Sequence, residues 1–334
     1  SKTSAEGGTN SKQLNERGSL PHIIISTVEH DFIKLAAKHL LKEGKAVSKV
    51  TARVEVEDVI AVIHPTTCLV SIMPANNETG IINPIKDICQ RVREVNKQRA
   101  ASAPRILLHT DAAQAIGKIR VDAHELGVDH ITIVGNKFYG PQNGALFVND
   151  PGTTTPVYPL FFGGGQECNF RAGTENTAWS VPMFVHAKLF YITAELRSLN
   201  LAEYEQKLLL TKRFILIAIF LAQTFCNVSI LGKGLQGKVL SKCRRLLASA
   251  GAACHSDSGD QTSHVLLNCG IPYHMATNTL MISMGRNTYP EDVDIVVEGQ
   301  IQCFDVIECS SGPYPSKSTR YSSCPPQPWE SRMS

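Results

Sequence analysis

The 334-residue sequence has no long hydrophobic run, no strong excess of charge of either sign and no paired cysteine motif. Its longest apolar segment, 214–222, is too short to span a bilayer and is predicted to form a buried helix. Lys and Arg number 33 against 30 Asp and Glu, which argues against nucleic acid or a membrane surface as partner. The ten cysteines show neither a C-x-x-C pair nor zinc-ligand spacing. Scattered thiols therefore predict a reducing compartment, the cytosol, and no metal site.

Short apolar runs alternate with amphipathic segments over the first half of the sequence. Strands are predicted at 22–27, 66–73, 105–111 and 129–134, and helices at 31–44, 54–63 and 85–98. Residues 45–50 are interpreted as a short connection. Such alternation predicts an α/β fold with a mainly parallel sheet. Sheets of this kind bind ligands at the carboxyl ends of their strands, so the polar residues that follow the strands are the candidates for function.

Composition and predicted secondary structure divide the chain into four parts. Residues 1–20 and the Ser/Pro-rich tail 308–334 are predicted to be disordered. Residues 21–177 are predicted to form a large domain. Residues 178–307 are predicted to hold connecting helices, including 201–225, and a smaller α+β unit.

Lys137 and Asp111 carry the clearest chemical signal. Lys137 follows a strand and a glycine and precedes an aromatic–Gly–Pro turn. It is either a surface lysine or an amine that forms a Schiff base with an aldehyde cofactor, pyridoxal 5'-phosphate (PLP). PLP needs an acid beside its ring nitrogen, which Asp111 would supply, although Asp111 also suits a helix N-cap. Gln114, three residues after Asp111, is a candidate ligand for the neighbouring ring hydroxyl.

Further candidates follow other strands or lie in glycine-rich loops. His30 either stacks on a cofactor ring or starts a helix. Asn76 and Asn77 are either turn formers or ligands. The glycine loop within 161–177, which includes Thr174, suits an anion such as phosphate. Cys254 lies among small residues and turn formers, which favours a thiol presented to a ligand over a core cysteine.

Six motifs occur in the order typical of the class V aminotransferase-like PLP enzymes: VEHD, ANNETGI, HTDAAQAIGK, GNKFYGP, GGGQE and GAACHSDSGDQ. The chain resembles this family over roughly residues 21–305. The family contains cysteine desulfurases and selenocysteine lyases, and the loop after Cys254 is similar to that of the selenocysteine lyases.

The resemblance implies a PLP-dependent transferase of fold type I with a smaller C-terminal α+β domain, active as a homodimer. It implies that Lys137 carries PLP and that Cys254 accepts selenium from L-selenocysteine, which is converted to L-alanine and selenide. By the same resemblance His30 stacks on the ring and Asp111 pairs with its nitrogen. The remaining cofactor ligands implied are Asn77 and Gln114 near the phenolic oxygen and Thr174 at the phosphate of the partner subunit.

The sequence departs from the family pattern at three places. The family's phosphate loop is not found ahead of the strand at 22–27, so the large domain is expected to be incomplete at its N-terminal side. Asn136 stands where a histidine is expected, and Met281 where an arginine binds the substrate carboxylate. These departures leave open a second hypothesis, a catalytically inactive homologue that acts only by binding.

Overall fold

A six-stranded sheet forms the larger part of the computed structural model. The structure describes residues 20–159, 161–178, 180, 182–183, 187, 206–207, 214–218, 225–230, 243, 245–246, 248–249, 262–285 and 287–310. The sheet contains β1 (His22–Ser26), β2 (Ala46–Val50), β3 (Thr67–Ser71), β4 (Leu107–Asp111), β5 (His130–Val134) and β6 (Gly144–Val148). Its order is β2-β1-β3-β4-β5-β6, with β6 antiparallel and the other pairs parallel. The predicted α/β fold with a mainly parallel sheet is confirmed.

Four helices connect the strands of this sheet: α1 (Asp31–Lys42), α2 (Val56–Ala61), α3 (Ile85–Gln98) and α4 (Ala123–Leu126). The helix α3 shows how the sequence pattern sets their packing. Its apolar side chains recur at helical spacing, and Ile85, Ile88 and Val92 are buried against the sheet. The core beneath them is built from the β-branched and leucine side chains of the parallel strands, among them Ile24, Val70 and Leu108.

A second, antiparallel sheet contains β7 (Phe214–Ala218), β8 (Phe225–Ile230) and β9 (Thr279–Ser283). It is accompanied by α5 (His264–Asn268), α6 (Tyr273–Ala276) and α7 (Pro290–Ser310). Val293 and Val297 of α7 pack against this unit's core with Leu280 of β9.

Two predictions about local structure were wrong. Residues 214–218, predicted as part of a buried helix, form β7, because a short apolar run fits either structure and here it pairs with β8. Residues 46–50 form β2 and not a plain connection, because they pair in parallel with β1 at the edge of the sheet. No helix in the described residues has the length and apolar character that crossing a membrane requires.

The order of the large sheet places a crevice between β1 and β3. From β1 the chain proceeds outward to β2, whereas from β3 it proceeds in the opposite direction to β4. In open parallel sheets, the carboxyl ends of strands at such a switch point form the usual ligand crevice. The polar residues that follow β1, β3, β4 and β5 all lie at this edge.

Candidate active site

The turn that carries Lys137 is built by close backbone packing. Residues Gly135–Phe138 form one turn of 3-10 helix directly after β5. The Gly135 amide donates to the Asn143 carbonyl at 2.8 Å, and a Cβ at Gly135 would lie 2.8 Å from that same oxygen, so only glycine fits. Phe138 is buried against Met183 and anchors the turn, whereas Lys137 is exposed. The turn thus holds its phenylalanine in the core and presents its lysine.

Asp111, the last residue of β4, is a buried carboxylate that has lost most of its hydration. It is 6% exposed, and its Oδ1 accepts a hydrogen bond from the Ala113 amide at 3.1 Å. Burial raises the pKa of Asp111, while that amide and the positive charges of His30 and Lys137 act to lower it. The residues after Asp111 form turns and not a helix, so the bond to Ala113 closes a turn where the sequence allowed a helix cap. It leaves the carboxylate able to accept further donors.

His30 occupies the N-cap of α1, the helix-start position that the sequence left open beside stacking on a cofactor ring. Its Nδ1 accepts from the Phe32 amide at 3.2 Å, which assigns the ring hydrogen of the neutral form to Nε2. Burial lowers the pKa of His30, with Asp111 opposing and Lys137 adding to the shift. His30, Asp111 and Lys137 are therefore close enough for each to act on the charge of the others.

The two asparagines after β3 have different tasks. Asn76 is completely buried: its Nδ2 donates to the Val28 carbonyl at 2.8 Å and its Oδ1 accepts from the amides of Glu78 and Thr79, both at 2.9 Å. Asn76 therefore fixes the loop. Asn77 is half-buried, and within the described residues its side chain makes no hydrogen bond, so its amide stays available.

Gln114 and the glycine loop are placed differently with respect to this edge. Gln114 is half-buried, and its Oε1 accepts a hydrogen bond from the buried Lys118 ammonium, which leaves the two amide N–H groups as donors. Thr174 lies in an exposed stretch and, within the described residues, forms no hydrogen bond with His30, Asp111 or Lys137. Cys254 lies outside the described residues, as do residues 1–19 and 311–334.

Two buried acids at this edge were missed by the sequence analysis. Glu29 is completely buried one residue before His30, within the VEHD motif. Glu78, in the ANNETGI motif, accepts from Ser263 Oγ at the start of α5, and its carbonyl accepts from Asn227 of β8. A glutamate inside a motif after an apolar strand is a signal that would have pointed to both.

Comparisons with known proteins agree with this arrangement. The aminotransferase class V family matches residues 10–296. Selenocysteine lyase of Bos taurus is 49% identical over 88% of this chain and 71% of its own length; that of Rattus norvegicus is 46% identical over 91% and 74%. A solved NifS-like protein has a TM-score of 0.74 and 26% identity over 88% of this chain and 77% of its own.

Proposed function

The chain belongs to the aminotransferase class V family and groups there with the selenocysteine lyases; from this premise we propose that it converts L-selenocysteine to L-alanine and selenide with PLP as cofactor. One observation carries the proposal. A lysine amine, a buried carboxylate and an imidazole from three separate segments lie within electrostatic reach at the ligand-binding edge of the sheet.

The residues at the carboxyl ends of β1, β4 and β5 fit the ring and the aldehyde of PLP. The Asp111 carboxylate is buried but has a single backbone donor at Oδ1, so it suits the protonated ring nitrogen of a bound pyridine. Burial lowers the pKa of His30, which favours the neutral imidazole, and its flat ring suits stacking on a bound pyridine. Lys137 presents an exposed amine to which an aldehyde can attach. When bound, PLP supplies an electron sink for the bonds at the substrate Cα.

The chain's own groups then divide the work. Lys137 would hold the cofactor through its amine and would move a proton at the substrate Cα. Asp111 keeps the ring nitrogen protonated by its negative charge. The amide N–H groups of Gln114 and the amide of Asn77 are donors for the phenolic oxygen. We place Thr174 at the phosphate of a second copy of the chain, and its exposed position supports that role in a homodimer.

The attachment site is tested by borohydride reduction of the full chain incubated with PLP, followed by peptide mapping. We expect a pyridoxyl group on Lys137 and none in a Lys137→Arg variant. The matched control is Lys97→Arg, which alters an exposed lysine of α3 and should leave the labelling unchanged. Labelling of a different lysine, or equal labelling of Lys137→Arg, would refute the assignment.

The selenium acceptor in this proposal is Cys254. A selenol is more acidic than a thiol and leaves more readily, whereas removal of sulfur depends on attack by a positioned thiolate. A Cys254→Ala variant, assayed with a thiol reductant, should therefore lose sulfide release from L-cysteine and only part of its selenide release from L-selenocysteine. Undiminished release of both products by the variant would show that Cys254 is not the acceptor.

A further inference from the structure

Glu29 joins the turn after β1 to the end of β3. Its Oε1 accepts a hydrogen bond from Ser26 Oγ at 2.7 Å and a second one from the Met73 amide at 3.0 Å. Ser26 ends β1, and Met73 follows β3 by two residues. One carboxyl oxygen therefore ties together the two strands on either side of the crevice, directly before His30.

The other oxygen of Glu29 is in a different situation. The side chain is 0% exposed, and Oε2 is buried with no hydrogen-bond partner in the described part of the chain. An ionised carboxylate with one oxygen left unsolvated is strongly disfavoured, whereas the neutral acid is tolerated. Burial raises the pKa of Glu29 to about 7, with the charge of Asp111 adding to the shift against the two donors at Oε1.

Glu29 and Asp111 are neighbouring acids with different charged groups around them. Asp111 has Lys137 and His30 as neighbours, and a positive charge on either group favours its charged form. Glu29 has only neutral donors, from Ser26 of β1 and Met73 after β3, and the ionisable group of the described chain that acts on it is Asp111 of β4. Of two acids that repel each other when both are charged, the one without cations retains the proton.

We propose that Glu29 is a positioning residue that keeps its proton in mildly acidic solution, where ordinary carboxylates are charged: it fastens the turn bearing His30 to the end of β3 and leaves the negative charge near the ring nitrogen to Asp111. The part that concerns the ring rests on the proposed function, whereas the proton and the tie between strands do not. Its test therefore has one arm without cofactor and one arm with it.

The first arm measures urea unfolding of the chain without PLP between pH 4.5 and 8. Since the folded pKa of Glu29 lies above its ordinary value of 4.5, the unfolded chain loses this proton first and stability falls as pH rises towards 7. In Glu29→Gln the amide oxygen keeps both hydrogen bonds and the group does not titrate. The ratio of unfolding constants, wild type over Glu29→Gln, should rise about 100-fold across this range.

The matched control is Glu57→Gln, at an exposed glutamate of α2, whose ratio to the wild type should stay constant with pH. A ratio that stays equally constant for Glu29→Gln would overturn the proposal, because Glu29 would then be charged in the folded chain. Glutamine has nearly the same shape as glutamic acid, so we expect the variant used in this arm to fold.

The second arm titrates PLP at pH 6, where wild-type Glu29 is protonated. Glu29→Gln should bind within about threefold of the wild type, and Glu29→Ala, which loses the tie to Met73, should bind at least tenfold more weakly. Equal affinities of the alanine variant and the wild type would overturn the positioning role. The wild type could bind no PLP while the ratio of unfolding constants still rises as expected in the first arm. In that case the proposed function would be wrong, and protonated Glu29 would still join β1 to the end of β3.

Discussion

Replacing Asp111 by Asn should move cofactor affinity and folding stability in opposite directions. The variant retains the shape of the side chain and its acceptor for the Ala113 amide, but it loses the charge. A hydrogen bond to a charged group contributes about 1.5–3 kcal/mol, so PLP should bind the variant about 10- to 150-fold more weakly. The structural reason is that a buried amide cannot stabilise a protonated ring nitrogen as a carboxylate does.

Stability should not fall with the affinity. The raised pKa of Asp111 means that the folded chain holds its charge at an energetic penalty, since the unfolded chain keeps the same group in water. Asp111→Asn removes this penalty above the unfolded pKa, and it also removes the repulsion that Asp111 exerts on Glu29. The midpoint of thermal unfolding at pH 7.5 without PLP should therefore equal or exceed that of the wild type.

The assay combines a spectroscopic PLP titration with thermal unfolding of the same preparations. The matched control is Asp122→Ala, which removes the cap of α4, where Asp122 accepts from the amides of His124 and Glu125 at 3.0 Å. That variant should melt earlier and bind PLP normally. An Asp111→Asn variant that binds PLP within twofold of the wild type would contradict the assignment, as would weaker binding accompanied by an equivalent loss of stability.

Four further substitutions test the frame around the site. Asp129→Asn should lower the free energy of unfolding by about 3 kcal/mol, because buried Asp129 accepts from Arg93 at 2.7 Å and the Leu108 amide at 2.8 Å. Asn76→Ala should lower the free energy of unfolding by about 3 kcal/mol, because the buried backbone groups that bond to Asn76 would lose their partner. Asn77→Ala should weaken PLP binding and change the free energy of unfolding by less than about 0.5 kcal/mol. Burial lowers the pKa of His109 to about 4, so the wild type loses stability as this group becomes protonated on unfolding at low pH. As pH falls from 6.5 to 4, the His109→Gln variant should lose about 3 kcal/mol less stability than the wild type.

Each of these has its own measurement and its own contrary result. Urea unfolding at pH 7 tests Asp129→Asn, and an effect below about 1 kcal/mol would show that the ion pair is dispensable. The two asparagine variants serve as controls for each other. If Asn77→Ala lowered stability and Asn76→Ala did not, the structural role of Asn76 and the ligand role of Asn77 would both be wrong. Acid unfolding tests His109→Gln, and a profile parallel to that of the wild type would mean that this histidine is protonated in the folded chain.

Local pattern was enough to predict most of the large sheet and the first members of the site. The strands at 22–27 and 129–134 are apolar, β-branched runs followed by polar turns, and these signals are contained within a few residues. Lys137 could be singled out because it follows such a strand and a glycine. Asp111 could be singled out because an acid directly follows another strand, and parallel strands bring their ends to one edge.

Pairing between distant segments was beyond local pattern. The segment 46–50 contains Ser48 and Lys49 and does not alternate strongly, so its strand conformation depends on the bonds to β1. The apolar run at 214–218 is compatible with helix and strand, and pairing with β8 selects the strand. In both cases the deciding partner lies outside the window in which periodicity is read.

The sequence by itself determined the family and the alternation of strands and helices and supplied the candidate reactive groups, because these depend on residue type and short spacing. Tertiary structure alone decided what each polar group does. Asn76 and Asn77 are adjacent and chemically identical, but one is buried in the loop and the other is left available. Glu29 and Asp111 are both acids, but burial raises the pKa of Glu29 to about 7, whereas Lys137 and His30 oppose the rise at Asp111, because desolvation and Coulomb energy depend on distances that only the folded chain sets.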